Sequence, residues 1–174
     1  SKWGSNVGIL LQMITDINTC RVAFANWAPL ATTGAILTAN AWQHLLVVYN
    51  GGGAADADKV KLYLNAVNQS LTFAGTIPTT LGSTTDPFRV ANMGPLGVGF
   101  TALRAAGIKL WLAELTAAEV MREYLLQRVS RTQNLSLWAP YDGNADDYSG
   151  LRNHGVVTGA VQILGPAGVA WGAD

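Results

Sequence analysis

The chain has 174 residues, with 11 basic and 11 acidic side chains, so no net field draws it to nucleic acid or to an anionic membrane surface. Cys20 is the only cysteine, which excludes an internal disulfide and a thiolate metal cluster. A hydrophobic content of 49% supplies one domain with a sizeable core, and its longest apolar runs, Leu45–Tyr49 and Ile108–Leu112, are strand-sized and far too short to span a membrane.

Taken in chain order, Gly8–Ile14 and Arg21–Phe24 are apolar stretches of strand length, separated from the next extended run by loops around Trp27–Pro29 and Thr32–Gly34. The segment Asn40–Asn65 is the most informative. Two period-two runs, one ending at Tyr49 and one from Lys59 to Asn65, flank the polar turn G-G-G-A-A-D-A-D, which predicts an antiparallel hairpin. Val60, Leu62 and Leu64 fall on one face, and Lys59, Lys61 and Tyr63 on the other, so one face is expected to meet a core and the other water. Gln69–Phe73 alternates again, a Gly, Thr and Pro-rich loop covers Gly75–Pro87, and Phe88–Ala91 reads as a further strand before the glycine-rich Met93–Gly99.

In Gly107–Leu112 the residues Ile108, Leu110 and Leu112 share one strand face, with Lys109 and Trp111 on the other. One helix comes next. Thr116-Ala-Ala-Glu119 is a capping box, and Val120, Tyr124, Leu125 and Val129 recur at helical spacing to an expected end near Arg128. Strands are expected at Leu135–Trp138 and Gly155–Thr158, with a polar loop between them. Many short strands with frequent turn signals predict an all-β sandwich or jelly roll with one short rim helix. No fixed-period repeat divides the chain, so residues 1–174 are read as one domain; the weak candidate for a boundary is Ser130–Asn134.

These residues resemble the concanavalin A-like lectin/glucanase superfamily, in its laminin-G-like branch. Trp42-Gln43-His44 before Val47-Val48-Tyr49 is similar to that branch's W-x-H lead into a core strand, and Lys61-Leu62-Tyr63-Leu64-Asn65 to the strand after it. Leu115-Thr116-Ala117-Ala118-Glu119-Val120 resembles its late rim helix. Asp147-Tyr148-Ser149-Gly150 with Asn153-His154-Gly155 resembles its D-x-S-G…N-x-G loop. Two departures stand out: Ala66 occupies a turn position where the branch has glycine, and Ser1–Asn6 looks like a strand that ordinarily comes after one or two earlier ones, so the domain is expected to lack its first strands or to have them filled by a neighbour.

The resemblance implies a non-enzymatic recognition module, extracellular or on a virion surface, that binds a glycan or protein surface. The competing expectation is a self-associating virion component, a capsid decoration or tail-fibre protein, in contact with neighbouring copies as a homo-oligomer or assembly. Glycoside hydrolysis needs a facing carboxylate pair. The three glutamates, Glu114, Glu119 and Glu123, all sit at the helix and read as first-turn dipole partners or solvated residues.

Lys61, Tyr63 and Trp111 are the candidate ligand contacts, because aromatic and polar side chains on an outer sheet face can stack on sugar rings; burial beneath a second layer is the alternative for both aromatics. No cofactor is implied, although Asp142, Asn144 and Asp146 place oxygen donors at spacings of two, a pattern that can wrap a hard cation such as calcium. An Asx-rich turn explains the same residues. His44 reads as a strand residue beside Trp42, and His154 as a turn residue. Asn68-Gln-Ser70 and Asn134-Leu-Ser136 fit the glycosylation triplet, a pattern short enough to arise by chance.

Overall fold

The computed structural model describes residues 2–4, 7–14, 18–24, 29–82, 87–90, 104–126, 128–159, 161–165 and 168–172, and is built mostly of antiparallel β-sheet. It forms two compact units, Ser1–Gly99 and Phe100–Asp174.

The first unit contains β1 (Lys2–Gly4), β2 (Val7–Ile14), β3 (Thr19–Phe24), β4 (Leu30–Ala35), β5 (Leu45–Tyr49), the one-turn helix α1 (Asp56–Lys59), β6 (Val60–Leu64), β7 (Val67–Gln69) and β8 (Thr72–Ala74). They make a five-stranded sheet in the order β1-β2-β3-β4-β8 and a three-stranded sheet in the order β5-β6-β7. Ile9 pairs with Phe24 and Met13 with Cys20, so those side chains leave the larger sheet on one face. In the smaller sheet Val47 pairs with Leu62 and Tyr49 with Val60. All of these residues join one apolar cluster with Val22, Ala31 and Ile77, so the two sheets share a core. The rings of Phe24 and Tyr49 meet across it, 5.5 Å between centroids. Each fully buried Phe, Leu or Val contributes about 1.5–3 kcal/mol.

The hairpin forms as its alternation predicts, in the register Leu45↔Leu64 to Tyr49↔Val60. Its water face does not. Tyr63 is only 6% exposed because β6 is the middle strand and Tyr63 lies between Leu46 and Asn68 on its two neighbours. Lys59 belongs to α1 and is also buried; its ammonium donates to the Ile77 carbonyl at 3.0 Å and pairs with Asp56 at 3.3 Å. Asp56 in turn accepts the Ile77 N–H, and the Tyr49 hydroxyl donates to Pro78, so the segment after β8 is stitched onto the hairpin loop. It approaches closely enough that a Cβ on Gly51 would lie 1.8 Å from the Thr79 carbonyl oxygen, and glycine is required there.

Three further expectations change. Thr32–Gly34 is part of β4 and not a loop: β-branched threonine suits a strand, and Thr33 is buried at a bulge opposite Cys20. Thr33 Oγ1 accepts the Cys20 N–H at 2.9 Å and can donate to the Gly34 carbonyl at 2.8 Å, which replaces the ladder bonds that the bulge interrupts. Gln69–Phe73 is not one strand, since β7 and β8 belong to different sheets and the chain crosses between them at Ser70 and Leu71. Phe88–Val90 is irregular, while Ala91, the loop Met93–Gly99 and most of the Trp27–Pro29 loop lie outside the described residues.

The second unit contains β9 (Arg104–Ala105), β10 (Ile108–Trp111), α2 (Ala117–Leu126), β11 (Leu135–Ala139), β12 (Val161–Gly165) and β13 (Gly168–Gly172). β10 pairs with β11, and β9 and β12 flank β13. The capping box forms: the Thr116 N–H donates to the Glu119 carboxylate at 2.7 Å, and the Glu119 N–H to Thr116 Oγ1 at 3.3 Å. The stretch Gly155–Thr158 is exposed and irregular, which corrects the strand expected there. No described helix is long and apolar enough to cross a membrane.

Candidate functional site

None of the three expected ligand contacts stands as an exposed side chain. Lys61 is partly buried and Tyr63 buried in the first unit, whereas Trp111 is partly buried in the second and donates its indole N–H to the Arg131 carbonyl at 2.8 Å. The facing of β10 is also the reverse of the expectation. Leu110 and Leu112 are the exposed residues, and Lys109 reaches inward to α2.

Lys109 meets Glu123, which is 1% exposed. Its carboxylate accepts the Lys109 ammonium at 2.6 Å and the Ser130 N–H at 2.6 Å, together with the Ser130 hydroxyl. Burial pushes the carboxyl up, but the bonds from Lys109 and Ser130 outweigh it and hold the pKa below the ordinary glutamate value. Glu123 is therefore not a solvated helix residue. It falls three positions after Val120 and one before Tyr124, inside the apolar stripe, and that position was the sequence signal for its burial.

Beside the start of α2, Glu114, Thr116, Glu119, Arg122, Ser130 and Arg131 line an open polar recess. The Glu119 carboxylate accepts from the Thr116 backbone and hydroxyl and from Arg131 at 3.2 Å, and those donors lower its pKa. At neutral pH it is an ionised acceptor with no proton to give.

The most elaborated surface is the loop from Asp142 to Gly155, which carries the D-Y-S-G…N-H-G motif. Asp147 is 6% exposed, and its carboxylate accepts four bonds: from the Trp138 N–H (2.9 Å), the Ser149 N–H (2.8 Å), the Ser149 hydroxyl (2.8 Å) and the Asn153 N–H (2.9 Å). Burial raises its pKa and these donors lower it, and the donors win. The Tyr148 N–H donates to the Trp138 carbonyl at 2.7 Å, and the Asn153 amide to the Ser136 carbonyl at 2.8 Å. The loop thus lies along the edge of β11 opposite β10 and occupies its outward backbone groups.

With Asp147 turned inward, the alternate residues on either side turn outward. Tyr148 is half exposed, its ring centroid 6.0 Å from that of Trp138, and its hydroxyl lies 3.4 Å from the Asn144 side-chain nitrogen. Asp146 carries a half-exposed carboxylate 3.1 Å from His154 Nδ1. Of the expected cation ligands, Asp142 is exposed, Asn144 Oδ1 accepts the Asp146 N–H at 2.9 Å as in an Asx turn, and Asp146 faces His154. Among the described residues no group of three or more His, Cys, Asp or Glu side chains is placed to hold a metal ion. Cys20 is fully buried, and burial raises its thiol pKa to about 11, so it is an unreactive core residue. Asn144 was singled out in the sequence only as a cation ligand, and Tyr148 was missed as a contact residue; its signal was its place directly after the motif aspartate Asp147.

No protein-family model, curated protein or solved structure matches the chain.

Proposed function

We propose that the chain is a non-enzymatic recognition module of the concanavalin A-like, laminin-G-like kind, a jelly-roll sandwich with α2 on its rim, displayed outside a cell or on a virion and binding glycan or protein through its loops. The observation that carries this reading is the Asp147 knot, in which a buried carboxylate with four donors holds a motif loop rigid and turns an aromatic ring to solvent. Rigid presentation reduces the ordering cost of binding. The two glutamates within α2 give no support to hydrolysis: Glu123 is buried in an ion pair and Glu119 is engaged in the helix cap.

A second reading, a self-associating virion component, is favoured by the exposed apolar side chains Leu112, Leu125 and Val156, at 75%, 68% and 92% exposure. Light scattering of the purified chain together with a glycan array separates the two. A monomer or small oligomer retained by particular glycans supports recognition; a large symmetric assembly indifferent to every glycan supports the structural role.

A further inference from the structure

We propose that Asn144, Asp146 and Tyr148, with His154 at their flank, form a binding site for an uncharged sugar ring. The inference rests on the recognition reading above and assigns it a ligand class and a place.

Asp146 and Tyr148 flank the buried Asp147, and Asn144, whose Oδ1 accepts the Asp146 N–H in an Asx turn, brings its amide nitrogen 3.4 Å from the Tyr148 hydroxyl, so the side chains of Asn144 and Tyr148 meet at the surface of the loop beside Asp146. Each chemical element suits a sugar. The half-exposed Tyr148 ring offers an apolar face for the C–H face of a pyranose, and its position is fixed by the backbone bond to Trp138 and by the Trp138 ring beneath. The Asn144 amide, the Asp146 carboxylate and the His154 imidazole are planar polar groups that can bond adjacent hydroxyls as donors and acceptors.

The four named side chains include one carboxylate and no lysine or arginine, the loop's one cation being the exposed Arg152 outside the set, so the site disfavours an anionic sugar and selects for neutral ones. Asp147 takes its four carboxylate bonds from Trp138, Ser149 and Asn153, so Tyr148 and Asp146 can be changed without removing any of them, whereas Asn144, which accepts the Asp146 N–H, and His154, whose Nδ1 accepts the Asp147 N–H, also support the loop backbone.

The test is calorimetric titration of the intact chain with cellohexaose, xylohexaose, mannohexaose and a β-galactan hexamer, with sialyllactose as the charged comparator. At least one neutral oligosaccharide is expected to bind and sialyllactose not to. Tyr148→Ala should weaken binding at least tenfold, Tyr148→Phe should retain most of it, and Trp42→Ala, at an exposed aromatic of the first unit, should leave it unchanged. Asp146→Ala, at a half-exposed side chain, provides a second loss variant should Tyr148→Ala unfold. Sugar binding that survives both loss variants, or that disappears in Trp42→Ala, overturns this site and leaves the recognition reading standing. Failure of every sugar here and on the glycan array overturns the site and removes glycan recognition with it.

Discussion

His44 and Asn65 hold each other through two hydrogen bonds: the His44 N–H donates to the Asn65 side-chain oxygen at 2.9 Å, and the Asn65 N–H donates to the His44 carbonyl at 2.8 Å. The pair closes the end of the hairpin where the chain enters β5 and leaves β6. Asn65 and Ala66 then form a two-residue turn to β7, both at positive φ, 49° and 64°. Two left-handed residues define the hairpin turn that prefers Asn-Gly, and alanine at the second position is strained. Ala66→Gly is expected to stabilise the chain by about 1 kcal/mol and Asn65→Ala to destabilise it by about 1–2 kcal/mol. Urea midpoints at unchanged slope provide the check; a lower midpoint for Ala66→Gly would contradict the turn assignment.

Thr33 stands in for a ladder partner at the bulge between β3 and β4. Thr33→Val keeps the shape and leaves the buried Cys20 N–H without its acceptor, at a cost of about 1–3 kcal/mol. Thr33→Ser, which keeps the hydroxyl, should cost less than half as much. Equal losses for the two variants would mean that the methyl group, not the hydrogen bond, matters.

Glu123 joins β10, α2 and the segment just after α2. Glu123→Ala leaves the Lys109 ammonium without its carboxylate in a largely buried position and should cost about 3–5 kcal/mol. The pH dependence has a definite sign. The folded pKa of Glu123 lies below the ordinary 4.5 and that of Asp147 below the ordinary 3.8, so both contribute stability above those values and lose it as pH falls through the lowered folded ones. Urea midpoints should hold steady from neutrality to about pH 5 and fall below it, with a shallower fall in Glu123→Gln. An unchanged slope in Glu123→Gln would show that the buried pair does not control acid stability.

Asp147 organises its loop through carboxylate bonds, so Asp147→Ala should expose the amides of Trp138, Ser149 and Asn153 to hydrogen exchange while the amides of β5 and β6 stay protected. Because Asn144 and Asp146 direct side-chain oxygens at protein partners, millimolar calcium is expected to leave the melting temperature unchanged. A calcium-dependent rise would instead assign Asp142, Asn144 and Asp146 to a cation.

The sequence disclosed what depends on local periodicity. The β5–β6 hairpin and the Thr116–Glu119 cap form where alternation and capping chemistry place them, because both are decided within a few residues. Features that depend on tertiary neighbours were hidden. Alternation from Gln69 to Phe73 continues smoothly while the chain passes from one sheet to another, since period two reports a face and not a partner. Thr32–Gly34 carries turn composition, yet a side-chain hydroxyl satisfies the bulge and keeps it in a strand. Leu110 and Lys109 exchange their expected environments because a buried carboxylate on α2 draws the lysine inward. For the candidate site, the acidic loop was legible as a feature; that Asp147 turns in and Tyr148 turns out was not, because it depends on how the loop folds back so that Ser149, Asn153 and the Trp138 N–H on β11 all reach one carboxylate.

Recognition without turnover is tested most plainly by incubating the intact chain with immobilised neutral oligosaccharides and reading both retention and the chemical state of the sugar. Saturable retention, reversed by free sugar that is recovered uncleaved, is the predicted result. Cleaved sugar, or no retention by a chain that sizes as a large symmetric assembly, would contradict a recognition module that acts by contact alone.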